Sequence, residues 1–406
     1  MLTLVPITAI SSGLGLFMPL YILYLKGNVF DIGIAFALYN LVSIPSSLFW
    51  GMITDRFRRV KPFILLSVIF TLPILLFYNF FSGITQAYFY YALFAVIATA
   101  ASPALNILVM GTKRSKKLPK YFSRYSLFAL SGSIIAYIFG ISIATSNINF
   151  YLQLLILFNI FSIIFAFILV KDIKKNMIEK EKLKSTKKIY PLLNTLTNLP
   201  NLLISSDMII RIRSDIKDIK KRSVYQLLGA IILFNIGYYI FNTGYVPYLN
   251  QNGLQYSDIF LINLANAIAQ IIVFVFIIKI KKGIKTERVY MASTTYRSMG
   301  YFVALVTIFI PELFFVLNIL AYSIAGFSYA LWNLSSSVLL YDMIRGEKQG
   351  YFIGLWTGVL GGSAIFGALI SGLLVLNFGY QITFGSAIFV TLLSGFLFHK
   401  KLFDKK

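Results

Sequence analysis

Residues 32–54 and 62–112 contain no charged side chain, and between them lies only the short, strongly basic segment 51–61, GMITDRFRRVK. The hydrocarbon core of a bilayer is about 30 Å thick and takes roughly 20 helical residues to cross. Uncharged apolar runs of this length therefore read as membrane-spanning helices. The basic segment reads as the hairpin turn that joins two of them and keeps its charges in water.

The same alternation runs through the chain. Of its residues 58% are hydrophobic and only 13% charged, with a mean hydropathy of +0.79, whereas soluble domains are about 25% charged. The expectation is an all-α polytopic membrane protein. Uncharged runs separated by polar breaks give twelve spans, near 2–25, 32–54, 62–82, 86–112, 121–145, 148–170, 223–249, 258–278, 289–311, 313–341, 350–376 and 378–399. Residues 2–25 are longer than the apolar core of a signal peptide and have no basic start, so they read as the first span.

A net charge of +23 raises the question of nucleic acid, and the placement of the charge answers it. An even number of spans puts both termini on one side. Loops on that side carry Arg56, Arg58, Arg59 and Lys61, then Lys113, Arg114, Lys116, Lys117 and Lys120, the cation-rich interval 171–222, and the tail. Opposite loops carry a single cation, Lys26, beside Asp31, Asp258 and Glu312. This asymmetry marks the basic side as cytoplasmic in a protein of the cell membrane. The charge is topogenic, with a secondary attraction to anionic lipid, and no nucleic-acid partner is implied. There is no cysteine and the one histidine is His399, so no Cys- or His-based metal or cofactor site is expected.

The interval 171–222 divides six spans from six: an N-terminal half, 1–170, and a C-terminal half, 223–406. A shift of 230 residues aligns Tyr121-Phe122 with Tyr351-Phe352, and Leu130, Gly132, Ser133 and Ile135 with Leu360, Gly362, Ser363 and Ile365. The expected architecture is two pseudo-symmetric six-helix halves in a monomer, of the kind that binds solute between the halves. Within the linker, Ile209, Ile212, Ile216 and Ile219 form one apolar stripe, the pattern of an interfacial amphipathic helix.

The pattern Gly51-x-x-x-Asp55-Arg56-x-x-Arg59 between spans 2 and 3 resembles the signature loop of the major facilitator superfamily. Arg58 departs from it, standing where that family usually has glycine. The segment Asp342-Met-Ile-Arg345-Gly346 resembles the family's loop after span 10. The resemblance implies twelve helices and alternating access. It also implies a gate on the basic side built from Gly51, Asp55, Arg56, Arg59, Asp342 and Arg345, with Gly51 supplying the turn where helix 2 ends. Helix 4 lacks the arginine of many proton-coupled members, and helix 5 lacks the Gly-Pro pattern of the antiporters.

Ionisable residues inside a membrane are expensive and usually have a task. Asp31 and Asp258 open helices 2 and 8 and read as helix caps. Arg297 is the one interior cation, in the cytoplasmic part of a peripheral helix, read first as snorkelling to the headgroups or packing and second as an anion or coupling site. The remaining polarity is uncharged. Helix 1 carries Ser11 and Ser12; helix 4 carries Thr99, Ser102 and Asn106; helix 7 carries Asn235, Tyr238 and Asn242; helix 10 carries Tyr322, Tyr329, Trp332 and Asn333. In the family these four helices line the central cavity, so these residues are the expected substrate contacts. Helices 2 and 8 add Asn40, Asn263, Asn266 and Gln270. Gly354, Gly358, Gly362, Gly367 and Gly372 mark helix 11 as a close-packing, sliding helix. An uncharged Tyr-, Trp- and Asn-lined cavity suits a neutral, amphipathic or aromatic small molecule. The expected function is its efflux by a secondary transporter, not an enzyme. Alternatives are a facilitator for a small metabolite, a lipid flippase, and a non-transporting membrane sensor.

Overall fold

The computed structural model describes residues 3–57, 61–80, 83–110, 118–143, 148–170, 222–279, 286–343 and 349–403. Nearly all of them are helical. In chain order the helices are α1 (Leu4–Tyr24), α2 (Val29–Phe57), α3 (Lys61–Phe80), α4 (Ile84–Met110), α5 (Leu118–Ile143), α6 (Ile148–Leu169), α7 (Arg222–Gln251), α8 (Tyr256–Lys279), α9 (Thr286–Val306) and α10 (Phe314–Met343). The final helical run, Gln349–Phe403, breaks at Gly379, where φ is 78° and ψ is 179°. Essentially only glycine adopts that backbone conformation. The run is therefore two helices, α11 (349–378) and α12 (380–403), and the described residues hold the twelve helices expected.

Among the described residues ten helical runs are long and apolar enough to cross a membrane, and one of these, Trp356–His399, takes in most of both α11 and α12. The helix outside that set is α9, diluted by Glu287, Arg288, Thr295 and four polar residues it buries. Those four, Ser293, Thr294, Arg297 and Ser298, face inward, while Tyr296, Met299 and Phe302 are exposed. Apolar residues outward and polar residues inward is the arrangement a helix needs when lipid replaces water around it.

Two features correct the local expectations. The second helix does not end at Gly51: α2 continues to Phe57, and Gly51 lies buried within it. It is therefore not the turn residue. The interval 171–221, with its amphipathic stripe, lies outside the described residues.

Packing repeats between the halves. α1 packs on α5 and α6, α2 on α4, and α3 on α4 and α6; in the second half α7 packs on the α11–α12 run, α8 on α10, and α9 on α10 and that run. One polar pairing repeats with it. Ser12 of α1 shares a 2.7 Å hydrogen bond with Ser133 of α5. Asn235 Nδ2 of α7 donates to Ser363 Oγ of α11, also at 2.7 Å. Ser133 and Ser363 are the serines that the 230-residue shift aligns.

The halves meet where α2 packs on α11 and α5 packs on α8. The first seam is a backbone approach. A Cβ on Gly33 would stand 2.7 Å from the Ala368 carbonyl oxygen, and one on Gly372 would stand 2.8 Å from Phe30 Cα. Only glycine admits contact this close. Of the other helix 11 glycines, Gly367 meets Ile236 of α7, Gly358 only touches Ile44, and Gly362 has open space beside it.

The largest buried apolar cluster joins both halves toward the end of the bundle opposite the chain termini, through Phe17, Tyr21 and Ile22 of α1, Tyr245 and Leu249 of α7, and Phe260 of α8. Toward the terminal end the described core divides. Leu4, Phe63, Ile64 and Ala166 form one cluster and Leu227, Phe234, Tyr290 and Phe398 another, while a third, of Val273, Phe274 and Ile277 of α8 with Ala330 and Leu334 of α10, reaches Leu127 and Leu130 of α5 along the α5–α8 seam. Among the described residues the halves thus share one core at the far end, whereas at the terminal end their cores are separate except along the seams.

Candidate functional site

Where the two cores part, a cavity of about 430 Å³ opens at mid-bundle. Its walls come from α1 (Thr8, Ser11, Ser12), α5 (Tyr125, Ser126, Ser133, Tyr137), α7 (Tyr238), α8 (Asn263, Asn266, Gln270), α9 (Arg297) and α10 (Tyr322, Tyr329, Asn333). A second lobe of about 270 Å³ shares Ser12, Tyr137, Tyr238, Asn263 and Tyr322, and extends toward the far end past Phe36, Tyr39, Asn40, Tyr91 and Asn242.

Aromatic faces and amides dominate this space. The Tyr238 ring lies 5.5 Å from Tyr329 and 5.2 Å from Tyr239, centroid to centroid. Tyr322 stacks on Tyr245 at 4.7 Å, and its hydroxyl donates to Asn242 Oδ1 at 3.1 Å. Asn266 Nδ2 donates to the Tyr322 carbonyl at 2.8 Å, and Gln270 Nε2 donates to Asn266 Oδ1 at 2.7 Å. This chain ties α8 to α10. It leaves the Gln270 and Asn263 side-chain oxygens without a hydrogen bond among the described residues, and the Asn242 Nδ2 donor is also unpartnered there. The walls therefore combine π faces, which supply contact area, with a few polar atoms free to orient a ligand.

The cavity is not uncharged, and Arg297 does not snorkel. Arg297 is 1% exposed. Its Nε donates to Tyr301 Oη at 2.7 Å and its Nη1 donates to the Ala325 carbonyl of α10 at 2.6 Å. The guanidinium carbon stands 4.7 Å from the Tyr238 ring centre, 5.1 Å from that of Tyr301 and 5.9 Å from that of Tyr329. Gly300 makes this possible. A Cβ there would lie 2.8 Å from the Ala321 carbonyl oxygen, so its absence lets α9 approach α10 and brings the Ala325 carbonyl within reach. Cation–π contacts and two hydrogen bonds hold the side chain inside the bundle, away from the headgroups.

The expected contacts separate into three groups. Ser11, Ser12, Tyr238, Tyr322, Tyr329 and Asn333 line the larger lobe, and Asn242 lines the smaller one. Asn235, Trp332 and Thr99 line neither. Asn235 clamps α7 to α11 through Leu360 and Ser363. Trp332 stacks on Phe234 at 4.9 Å and 6° within the core of the second half. The Thr99 hydroxyl bonds back to Ala95 and Val96 of its own helix. Ser102, Asn106, Asp55, Arg56 and Asp342 lie on described helices, but their side chains are outside the described residues, as are Arg59 and Arg345 altogether. Asp31 and Asp258 sit in caps: Asp31 Oδ2 accepts from Asn28 N at 2.7 Å while Asn28 Oδ1 accepts from Phe30 N at 2.8 Å, and Asp258 Oδ2 accepts from Gln255 N at 3.1 Å. The Asn28–Asp31 pair is a reciprocal capping box.

The α5 wall is the part that sequence reasoning missed. Ser126, Ser133 and Tyr137 recur at seven- and four-residue intervals along one side of α5. That polar stripe is as visible in the sequence as those of helices 7 and 10. The assumption that helices 1, 4, 7 and 10 line the centre obscures it; among the described side chains, α4 gives the smaller lobe Tyr91.

Comparison with known proteins bears on this arrangement. The model of the Major Facilitator Superfamily matches residues 1–334. No curated protein sequence matches the chain. Two crystal structures of the nucleoside transporter NupG superpose on it. A point mutant gives a TM-score of 0.67 at 12% identity, covering 98% of this chain and 98% of that one. The other gives 0.62 at 14% identity, covering 99% and 97%. At these identities the likeness is one of fold.

Proposed function

The chain belongs to the major facilitator superfamily, and on that premise we propose that it exports a small aromatic or amphipathic solute through the cavity between its halves. Family and architecture make it a multi-pass membrane protein and a secondary transporter. The observation that carries the finer reading is the cavity of about 430 Å³ at mid-bundle, walled by both halves. Its size falls in the range of small-molecule sites. Because each half supplies part of the wall, rocking one half against the other changes the side from which the site is reached. Tyr238, Tyr322 and Tyr329 offer faces to a ring, while Asn242, Asn263, Asn333 and Gln270 fix its orientation. The loop-charge asymmetry favours a cytoplasmic side for both termini, and with them for the parted end of the bundle. Export then requires a second state, open at the far end, in which the solute is released.

A nucleoside is a second reading, since a flat base on a polar sugar meets the same description and two structures of this fold are of a nucleoside transporter. Counterflow in proteoliposomes tests both, using a panel of aromatic acids, aromatic amides and uridine. The expected result is saturable counterflow of an aromatic solute that Tyr238→Ala abolishes. Uridine alone giving counterflow would favour the second reading. Lipid exchange without solute counterflow would mark a flippase, and neither activity would leave a sensor.

A further inference from the structure

We infer that the solute presents an oxyanion, a carboxylate or a phosphate, to Arg297 while its ring lies among Tyr238, Tyr322 and Tyr329. This rests on the reading of the cavity as the substrate site; its own ground is an unbalanced charge. Arg297 is 1% exposed and stands on the cavity wall at mid-bundle. A guanidinium keeps its proton in a protein, so the charge is permanent. A buried charge is ordinarily paired, because leaving water costs more than neutral contacts return.

No acidic side chain of the described helices is placed to pair with it. Asp31, Asp258 and Glu287 lie in the first turns of α2, α8 and α9, and Glu312 lies in the 3₁₀ turn before α10. Asp55 and Asp342 lie near the last residues of α2 and α10. All belong to helix ends, whereas Arg297 is midway along α9. Its partners are neutral: the Tyr301 hydroxyl on Nε, the Ala325 carbonyl on Nη1, and three tyrosine faces. Ring faces offset part of the charge. Nη2 makes no hydrogen bond among the described residues, and Nη1 retains a second N–H. A guanidinium edge with free donors on both terminal nitrogens matches the two oxygens of a carboxylate or two of a phosphate. Two of the rings that hold the guanidinium, those of Tyr238 and Tyr329, also line the space a ligand ring would occupy. One arrangement thus reads both ends of an aromatic acid.

The test uses two probes of matched shape and different charge, 4-hydroxybenzoate and 4-hydroxybenzamide, with phenyl phosphate as a second oxyanion. Binding is measured by titration calorimetry on the full chain in phosphatidylcholine nanodiscs. The expected result is that both oxyanions bind at least tenfold more tightly than the amide, equivalent to about 1.4 kcal/mol. Arg297→Gln should erase that preference, and Arg297→Lys should keep only part of it. Should Arg297→Gln fail to fold, the wild-type comparison and the lysine variant decide. Equal affinity for acid and amide, or no binding of either oxyanion, overturns the inference. So does loss of the preference in phosphatidylglycerol nanodiscs, which would give the site to a lipid headgroup. If the amide still binds in a Tyr238-dependent way, the cavity reading stands without the oxyanion.

Discussion

Tyr238 and Trp332 show how far residue-level reasoning reaches. Both lie on polar-aromatic stripes that the sequence makes plain, at helical spacing on helices 7 and 10. The structure separates them. Tyr238 lines both lobes of the cavity and lies under the Arg297 guanidinium, whereas Trp332 is 4% exposed and stacked on Phe234. Periodicity identifies the inward side of a helix, but that side is wide enough to meet both cavity and neighbouring helix. Which residue does which depends on the crossing of α7 and α10, and no single sequence encodes that locally. The two should therefore respond differently to alanine. Tyr238→Ala is expected to weaken solute binding tenfold or more, about 1.4 kcal/mol, with a small effect on unfolding. Trp332→Ala empties a packed site and is expected to cost about 3–5 kcal/mol of stability, leaving affinity nearly unchanged in the folded fraction. Thermal unfolding and ligand titration on the same samples check this. Tyr380, whose hydroxyl donates to Gln251 Oε1 at 2.8 Å near the far end, should be neutral for binding. If its substitution weakened binding as much as Tyr238→Ala does, the site would lie elsewhere.

At the scale of elements, the spans were legible because hydropathy and charge report directly on what lipid tolerates. Their ends were less so. α2 continues through Gly51 to Phe57, and just beyond the glycine Ile53 packs on the first half's core while the Thr54 hydroxyl donates to the Trp50 carbonyl at 2.7 Å. A single glycine in an otherwise helical stretch costs about 1 kcal/mol and does not end it. The break between α11 and α12 is the opposite case, where a glycine is required. A Cβ added at Gly379, at φ 78°, would meet nothing within 4 Å, and neither would one added at Gly385 inside α12. Space is thus equal at the two sites and only backbone conformation differs. Gly379→Ala is expected to destabilise by about 1–3 kcal/mol through strain. Gly385→Ala is expected to stabilise by about 0.5–1 kcal/mol, since alanine loses less backbone entropy in a helix. Unfolding temperatures of the two purified variants should move in opposite directions. A shift of the same sign in both would mean that the break at residue 379 is not held in place by glycine.

For the whole molecule, the twofold design was visible in the sequence as a 6+6 count and a faint repeat. The repeat fell at Ser133 and Ser363, and each of these serines ties its helix to the partner helix of its own half. What the sequence did not carry was which end of the bundle is closed, because closure is made of contacts between residues hundreds of positions apart. The far end is sealed along the α2–α11 seam, and alternating access requires that seam to open in each cycle. A Cβ added at Gly372 would stand 2.8 Å from Phe30 Cα, so Gly372→Ala cannot be fitted with the seam as close as it stands and is expected to prop the far end open. The chain contains no cysteine, so a single cysteine can report on access without background. Gly15 lines the smaller lobe and a Cβ there meets nothing within 4 Å. Labelling of Gly15→Cys by an impermeant thiol reagent from the far side should therefore rise several-fold when Gly372→Ala is added, and counterflow should slow. Equal labelling with and without Gly372→Ala would show that this seam does not control access from the far end, and rocking of the halves about this cavity would have to be given up.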